Sequence, residues 1–157
     1  MNIRAICEGA FTLPLPVASA VPLFTPEGER RWAGSSWDPH YAIPDAARDD
    51  SAPGTVFTTT SNGGVAIWIV LERREDGMSY ARVASDHIAG TITVHCSPEA
   101  TPEETRVTVH YDVTSLGPEG VSFVQELEAG FDAFLDEWRR EILGALESER
   151  GSTGRTR

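Results

Sequence analysis

Apolar residues recur at three- and four-residue steps through the last third of the chain. Val121, Val124, Leu127, Phe131, Phe134, Leu135, Trp138, Ile142 and Leu146 fall on one stripe between Pro118 and Glu149, the spacing of an amphipathic helix. Gln125, Glu126, Glu128, Asp132, Asp136, Arg139, Arg140 and Glu147 take the opposite face and suit water. Gly117-Pro118-Glu119 opens the helix: proline is tolerated at the first position and an acid suits the positive end of the helix dipole. Gly151 is its expected end, and Gly130 inside it predicts close packing or a slight kink. Such a helix spans ~50 Å at the 1.5 Å rise of each residue. It needs a broad apolar surface to lie along, and the pattern upstream supplies one.

Upstream the period changes from helical to alternating. Residues 3–13 read as a first strand, with Ile3, Ala5, Cys7, Gly9 and Phe11 on one face. Pro14 and Pro16 end it. Two short helices are predicted next, at 16–24 and from Thr25-Pro26-Glu27 to Trp32, the second with threonine as N-cap and proline behind it. From Ala33 to Gly54 periodicity is lost and the segment reads as loop, yet Trp37, His40 and Tyr41 sit inside it. Strands are then predicted at 55–60, 65–73, 79–84, 91–97 and 105–114, with a hairpin at Ser61-Asn62-Gly63-Gly64. Short connections favour antiparallel neighbours, so the class is α+β. Residues 1–150 make a single domain, and 151–157 form a polar tail expected to be disordered.

Composition narrows the partners. The 157 residues are 40% hydrophobic, enough for a core, with a net charge of −11. That acidity argues against nucleic acid and anionic membrane surfaces, which require a basic patch. The longest apolar run, Val65 to Leu71, is too short to insert in a membrane. The stretch from Arg4 to Phe24 is interrupted by Glu8, Pro14 and Pro16, unlike a signal peptide. Cys7 and Cys96 fit no metal or redox spacing and read as buried thiols of a cytoplasmic protein.

Several phrases resemble the START/Bet v-like superfamily, also called SRPBCC, and its bacterial polyketide cyclase/dehydrase-like members. They are Leu15-Pro16-Val17, the run Leu23-Phe24-Thr25-Pro26-Glu27-Gly28-Glu29-Arg30-Arg31-Trp32, Trp37-Asp38-Pro39-His40-Tyr41, Pro53-Gly54-Thr55-Val56-Phe57 and Tyr111-Asp112-Val113-Thr114. The resemblance covers roughly residues 4–146. It implies a helix-grip fold, in which a curved antiparallel sheet of about seven strands wraps a long C-terminal helix. It also implies a cavity between the two that takes apolar or amphipathic molecules such as lipids or aromatic polyketides. It carries over no catalytic residue.

The candidate lining of such a cavity is Trp37, Tyr41, Trp68, Tyr80, Tyr111, Phe131, Phe134 and Trp138. Trp and Tyr are apt because they join an apolar body to a polar tip. Trp68 alternates with Ala66 and Val70, and Ile67, Ile69 and Leu71 form the other face of the same strand. Both faces are apolar, so the inward one stays open. Each lining candidate is equally a plain core residue by its pattern alone. Tyr111, Arg82 and His40 are the candidates for proton transfer; a buried Arg82 would need a carboxylate from protein or ligand. No Gly-x-Ser-x-Gly elbow, phosphate loop or metal-ligand spacing occurs, and neither metal nor cofactor is expected. Three functions remain: binding of a hydrophobic small molecule, a cyclase/aromatase- or dehydratase-type enzyme, or a protein-interaction module with a filled interior. Oligomeric state is not legible.

Overall fold

The computed structural model describes residues 1–45, 49–61 and 64–153. Seven strands form one antiparallel sheet in the order β1-β7-β6-β5-β4-β3-β2. They are β1 (Arg4–Leu13), β2 (His40–Tyr41), β3 (Val56–Ser61), β4 (Gly64–Arg74), β5 (Gly77–Ala84), β6 (Ile88–Pro98) and β7 (Thr105–Ser115). Between β1 and β2 come α1 (Val17–Ala20), a 3-10 turn (Val21–Phe24) and α2 (Pro26–Glu29). After β7 come α3 (Pro118–Ala129) and α4 (Phe131–Thr153). This is the expected α+β helix-grip arrangement, with the meander running from β2 back to β7 and closing beside β1.

Alternation decides the faces. Ala5, Cys7 and Phe11 of β1, and Val107, Val109, Tyr111 and Val113 of β7, point inward and are buried. The inward face of β4 is settled too: Ala66, Trp68 and Val70 are buried, whereas Val65, Ile67 and Leu71 are exposed. Cys7 and Cys96 are buried free thiols. His95 and Cys96, adjacent in sequence, lie on opposite faces, His95 outside beside Asp76 at 3.0 Å.

Four details differ from the sequence reading. The long helix is two, because Gly130 leaves helical geometry at φ −117°, ψ 22°. The hydrogen bonds from Gly130 N to Glu126 O and from Phe134 N to Gly130 O, both 3.0 Å, keep the halves in line. The segment read as loop contains β2, because His40 and Tyr41 pair with Thr58 and Phe57. Strand β6 begins at Ile88, not Thr91, since Asp86 takes a positive φ of 59° and completes the turn earlier. The final helix runs through Gly151 to Thr153, where no apolar stripe signalled it. Asn62 and Gly63 of the expected hairpin, and residues 154–157 of the expected tail, lie outside the described residues. Ser61 and Gly64 pair across that hairpin.

The two halves of the C-terminal helix pack mainly on β1 and β7. Gly9 makes this possible: a Cβ there would stand 2.6 Å from Leu135 Cδ1. The 3-10 turn lies against β5 and β6 instead, so the short helices cover the half of the sheet that the long helix leaves open. The N-cap of α2 is as the sequence predicts, with Thr25 Oγ1 accepting from Gly28 N at 2.9 Å. Arg31 of the turn after α2 grips Glu149 of α4 at 2.8 and 2.7 Å.

Gly120 seats α3 on the β5–β6 turn, where a Cβ would overlap the carbonyl oxygen of His87. Gly144 has nothing within 4 Å. Chemical denaturation of Gly120→Ala is therefore expected to show a loss of about 3 kcal/mol. Gly144→Ala should gain about 0.5–1 kcal/mol from helix propensity. Equal effects at the two positions would refute the close-approach account.

Candidate functional site

Hydrogen bonds in the turn after α2 build the first wall. Trp32 N and Ala33 N donate to Glu29 O at 3.2 and 2.8 Å, which stacks Glu29, Trp32 and Ala33 on one side. The Trp32 indole N–H donates to Leu23 O at 2.8 Å, and the Trp37 N–H to Pro26 O at 2.8 Å. Both rings are thereby pinned to the backbone of the short helices. From the sheet, Tyr80 donates its hydroxyl to Phe24 O at 2.6 Å. Trp68 donates to Thr59 Oγ1 at 2.9 Å. From α4, Trp138 meets Trp32 with ring centres 5.3 Å apart and planes at 58°.

These groups build a partly open cavity of about 150 Å³, lined by Glu29, Trp32, Ala33, Trp37, Trp68, Tyr80, Ile92, Val94, Trp138 and Glu141. Its walls are mostly apolar, and its ionisable groups are two carboxyls and the Tyr80 phenol. Glu29 is partly exposed as a residue, yet its carboxyl is surrounded by protein, and that desolvation pushes its pKa well above the usual carboxylate value. Burial raises Glu141 as well, helped by Glu137 and opposed by Arg140.

Trp68 is the centre of the aromatic cluster. Strand register places it between Phe57 and Arg82. Phe57 lies parallel to it at 5.8 Å, and the Arg82 guanidinium stands 5.1 Å from its ring centre. Trp37 meets it edge-on at 5.4 Å. Arg82 also faces Phe123 at 5.8 Å, its Nε has no hydrogen-bond partner, and desolvation lowers its pKa. It is thus an inward cation held by aromatic rings rather than by a carboxylate. It borders a wider cleft of about 610 Å³ together with His87, Ser122, Phe123, Glu119 and Glu126.

The remaining sequence candidates are distributed around these two spaces. Trp37, Trp68, Tyr80 and Trp138 line the smaller cavity. Tyr111 is buried behind it, touching Phe131, Phe134 and Trp138 at 5.5, 5.8 and 6.3 Å. Burial raises its pKa against the opposing pull of Arg82. Phe131 and Phe134 join that inner cluster and do not line the cavity. Tyr41 packs on Phe57 at 5.9 Å, outside the lining. His40 sits on the edge strand, exposed, 3.0 Å from Asp38. Among the described residues no three His, Cys, Asp or Glu side chains come together as a metal set. Nor is any described helix long and apolar enough to cross a membrane. The sequence reading missed Glu29, Trp32 and Glu141. Glu29 and Trp32 are three residues apart beside a capped turn, the one signal that could have paired them.

No protein-family model and no curated protein matches the sequence. Solved structures do match in shape. Protein MLL2253 from Mesorhizobium loti superposes with a TM-score of 0.64 at 14% identity, over 88% of this chain and 96% of that one. CalU16 from Micromonospora echinospora gives 0.58 at 15% identity, over 98% and 95%. Norcoclaurine synthase from Thalictrum flavum, solved with dopamine and hydroxybenzaldehyde, gives 0.61 at 12% identity, over 91% and 88%. The chain has a helix-grip fold. At these identities the likeness extends to the fold and no further. Within this helix-grip chain, the tryptophan-walled cavity lies between the sheet, the short helices and α4.

Glu29 gives this cavity a pH signature. In the unfolded chain it ionises near its ordinary value of 4.5, while in the native protein it stays protonated to higher pH. Between those values the native state holds the extra proton, so Glu29 lowers stability as pH rises toward its native pKa, with no further change beyond. Glu29→Gln should match the wild-type urea midpoint near pH 4 and exceed it increasingly as pH rises. A constant offset at every pH would refute the assignment.

Proposed function

We propose that this chain binds a small molecule by enclosing a ring-sized apolar group in the tryptophan-walled cavity. The observation that carries this reading is the unfilled space itself. Four tryptophans and a tyrosine converge on it from the short helices, the following loop, the sheet and α4, and leave about 150 Å³ between them. Interiors normally close-pack, and a pure interaction module would have filled this space. The likeness of fold to norcoclaurine synthase, a protein solved with small aromatic ligands, supports the same reading.

Size limits the ligand. Drug-sized molecules occupy pockets of roughly 300–1,000 Å³, whereas ~150 Å³ takes a single ring. A lipid or polyketide would therefore place one end here and leave the rest outside. A second reading, an enzyme of cyclase/aromatase or dehydratase type, has one observation in its favour. The buried Tyr111 phenol senses the charge of Arg82, whose Nε has no hydrogen-bond partner among the described residues. On that reading Tyr111→Phe would abolish turnover of an aromatic poly-carbonyl substrate while leaving the fold intact; unchanged turnover would remove Tyr111.

Ala33 lines the cavity and is small. Indole or toluene at millimolar concentration is expected to raise the Tm of the wild-type protein by a few degrees. Ala33→Phe, which fills the space, should be at least as stable and lose that response. The proposal fails if no ring-sized probe moves the wild-type Tm and native mass spectrometry of freshly purified protein finds no retained molecule.

A further inference from the structure

The cavity's polar chemistry is one-sided. The N–H groups of Trp32, Trp37 and Trp68 and the Tyr80 hydroxyl all donate to protein acceptors. What faces the space is aromatic surface and the carboxyls of Glu29 and Glu141. Arg140 acts on Glu141, but no described cation acts on Glu29. Arg30 is engaged by Asp38 and Pro39 O, Arg31 by Glu149, and Arg82 lies against Trp68 and Phe123. Glu29 has no ion-pair or hydrogen-bond partner among the described residues.

A ligand carboxylate or phosphate would meet two acids and no arginine or lysine in the lining. A neutral hydrocarbon would leave the Glu29 carboxyl buried and unpaired. An ammonium group answers both demands, since indole rings attract cations and an ionised Glu29 would be paired. We propose that the cavity selects a compact organic cation, an amine or small alkylammonium group, with Glu29 as its counter-ion. This rests on the cavity being a ligand site, and it adds the sign of the ligand's charge.

The groups facing Glu29 define the pH response. Glu141 reaches the cavity from α4 and Tyr80 from β5, with Tyr111 behind. Burial holds both phenols far above neutral pH, so carboxyl ionisation alone changes the site's charge near neutrality. Affinity for a permanent cation should rise with pH as Glu29 loses its proton and then level off.

The test is calorimetric titration with choline and with 3,3-dimethyl-1-butanol, its uncharged isostere. Choline is expected to bind roughly tenfold more tightly. Its affinity should increase between pH 5 and pH 8, while the alcohol's stays flat. Glu29→Gln should erase the preference and the pH dependence without weakening the alcohol, and Glu141→Gln should reduce the preference less. Equal affinity for both probes, or a preference that survives Glu29→Gln, overturns the proposal. If the alcohol binds and choline does not, charge selection falls while the cavity reading stands. If neither probe nor any neutral ring binds, both fall.

Discussion

The sheet is too wide for one helix to cover, and the interior follows from that mismatch. The C-terminal helix lies on β1 and β7, where Gly9 lets Leu135 come close. The half of the sheet built from β3, β4 and β5 must be covered by something else. Two short helices and the loop after them supply Phe24, Trp32 and Trp37, and α4 contributes Trp138 from the other side. Flat rings pinned by their own hydrogen bonds cannot slide together to fill the remaining gap. Trp32 and Trp138 meet at 58° and Trp37 and Trp68 at 78°, so the space between them persists. The cavity is a consequence of pinned aromatics bridging two elements that cannot touch.

The same arrangement isolates charge. Glu29 and Arg82 are both directed inward, carry opposite charge and do not pair. The Trp68 ring lines the cavity that holds Glu29, and Arg82 lies against that ring. Each group meets its desolvation differently. The carboxyl takes up a proton, and the guanidinium leans on two aromatic rings. One inward space is therefore acidic and mostly apolar, and the wider cleft beyond Trp68 contains a cation. That cleft also carries Asp86, Glu119 and Glu126, so Arg82 stands there among acids.

Much of the fold was legible because it depends on neighbours in sequence. Period-two alternation marks β1, β6 and β7, and the turn chemistry from Ser61 to Gly64 joins β3 to β4. The Thr25-Pro26 signal starts α2, and the three- and four-residue stripe marks the C-terminal helix. What failed were the places where local signals are absent or overruled. Strand β2 has two residues and exists only by pairing with β3. Gly130 reads as a kink and proves to divide the helix. Among the lining candidates, Trp37, Trp68, Tyr80 and Trp138 were recognisable by residue type. Phe131 and Phe134 were indistinguishable from them by pattern, yet they pack on Tyr111 instead.

By itself the sequence determined an acidic α+β domain with alternating strands, a pair of short helices with a cap on the second, and a long amphipathic helix, because those follow from backbone propensity and the periodicity of burial. Tertiary structure alone decided which face of β4 points inward, since both faces are apolar and only the sheet's curvature around the helix distinguishes them. It alone brought Glu29 beside Trp138, more than a hundred residues away in the chain, and left Arg82 without a carboxylate. A cavity is a volume left over after distant side chains have packed, and no local pattern encodes a remainder.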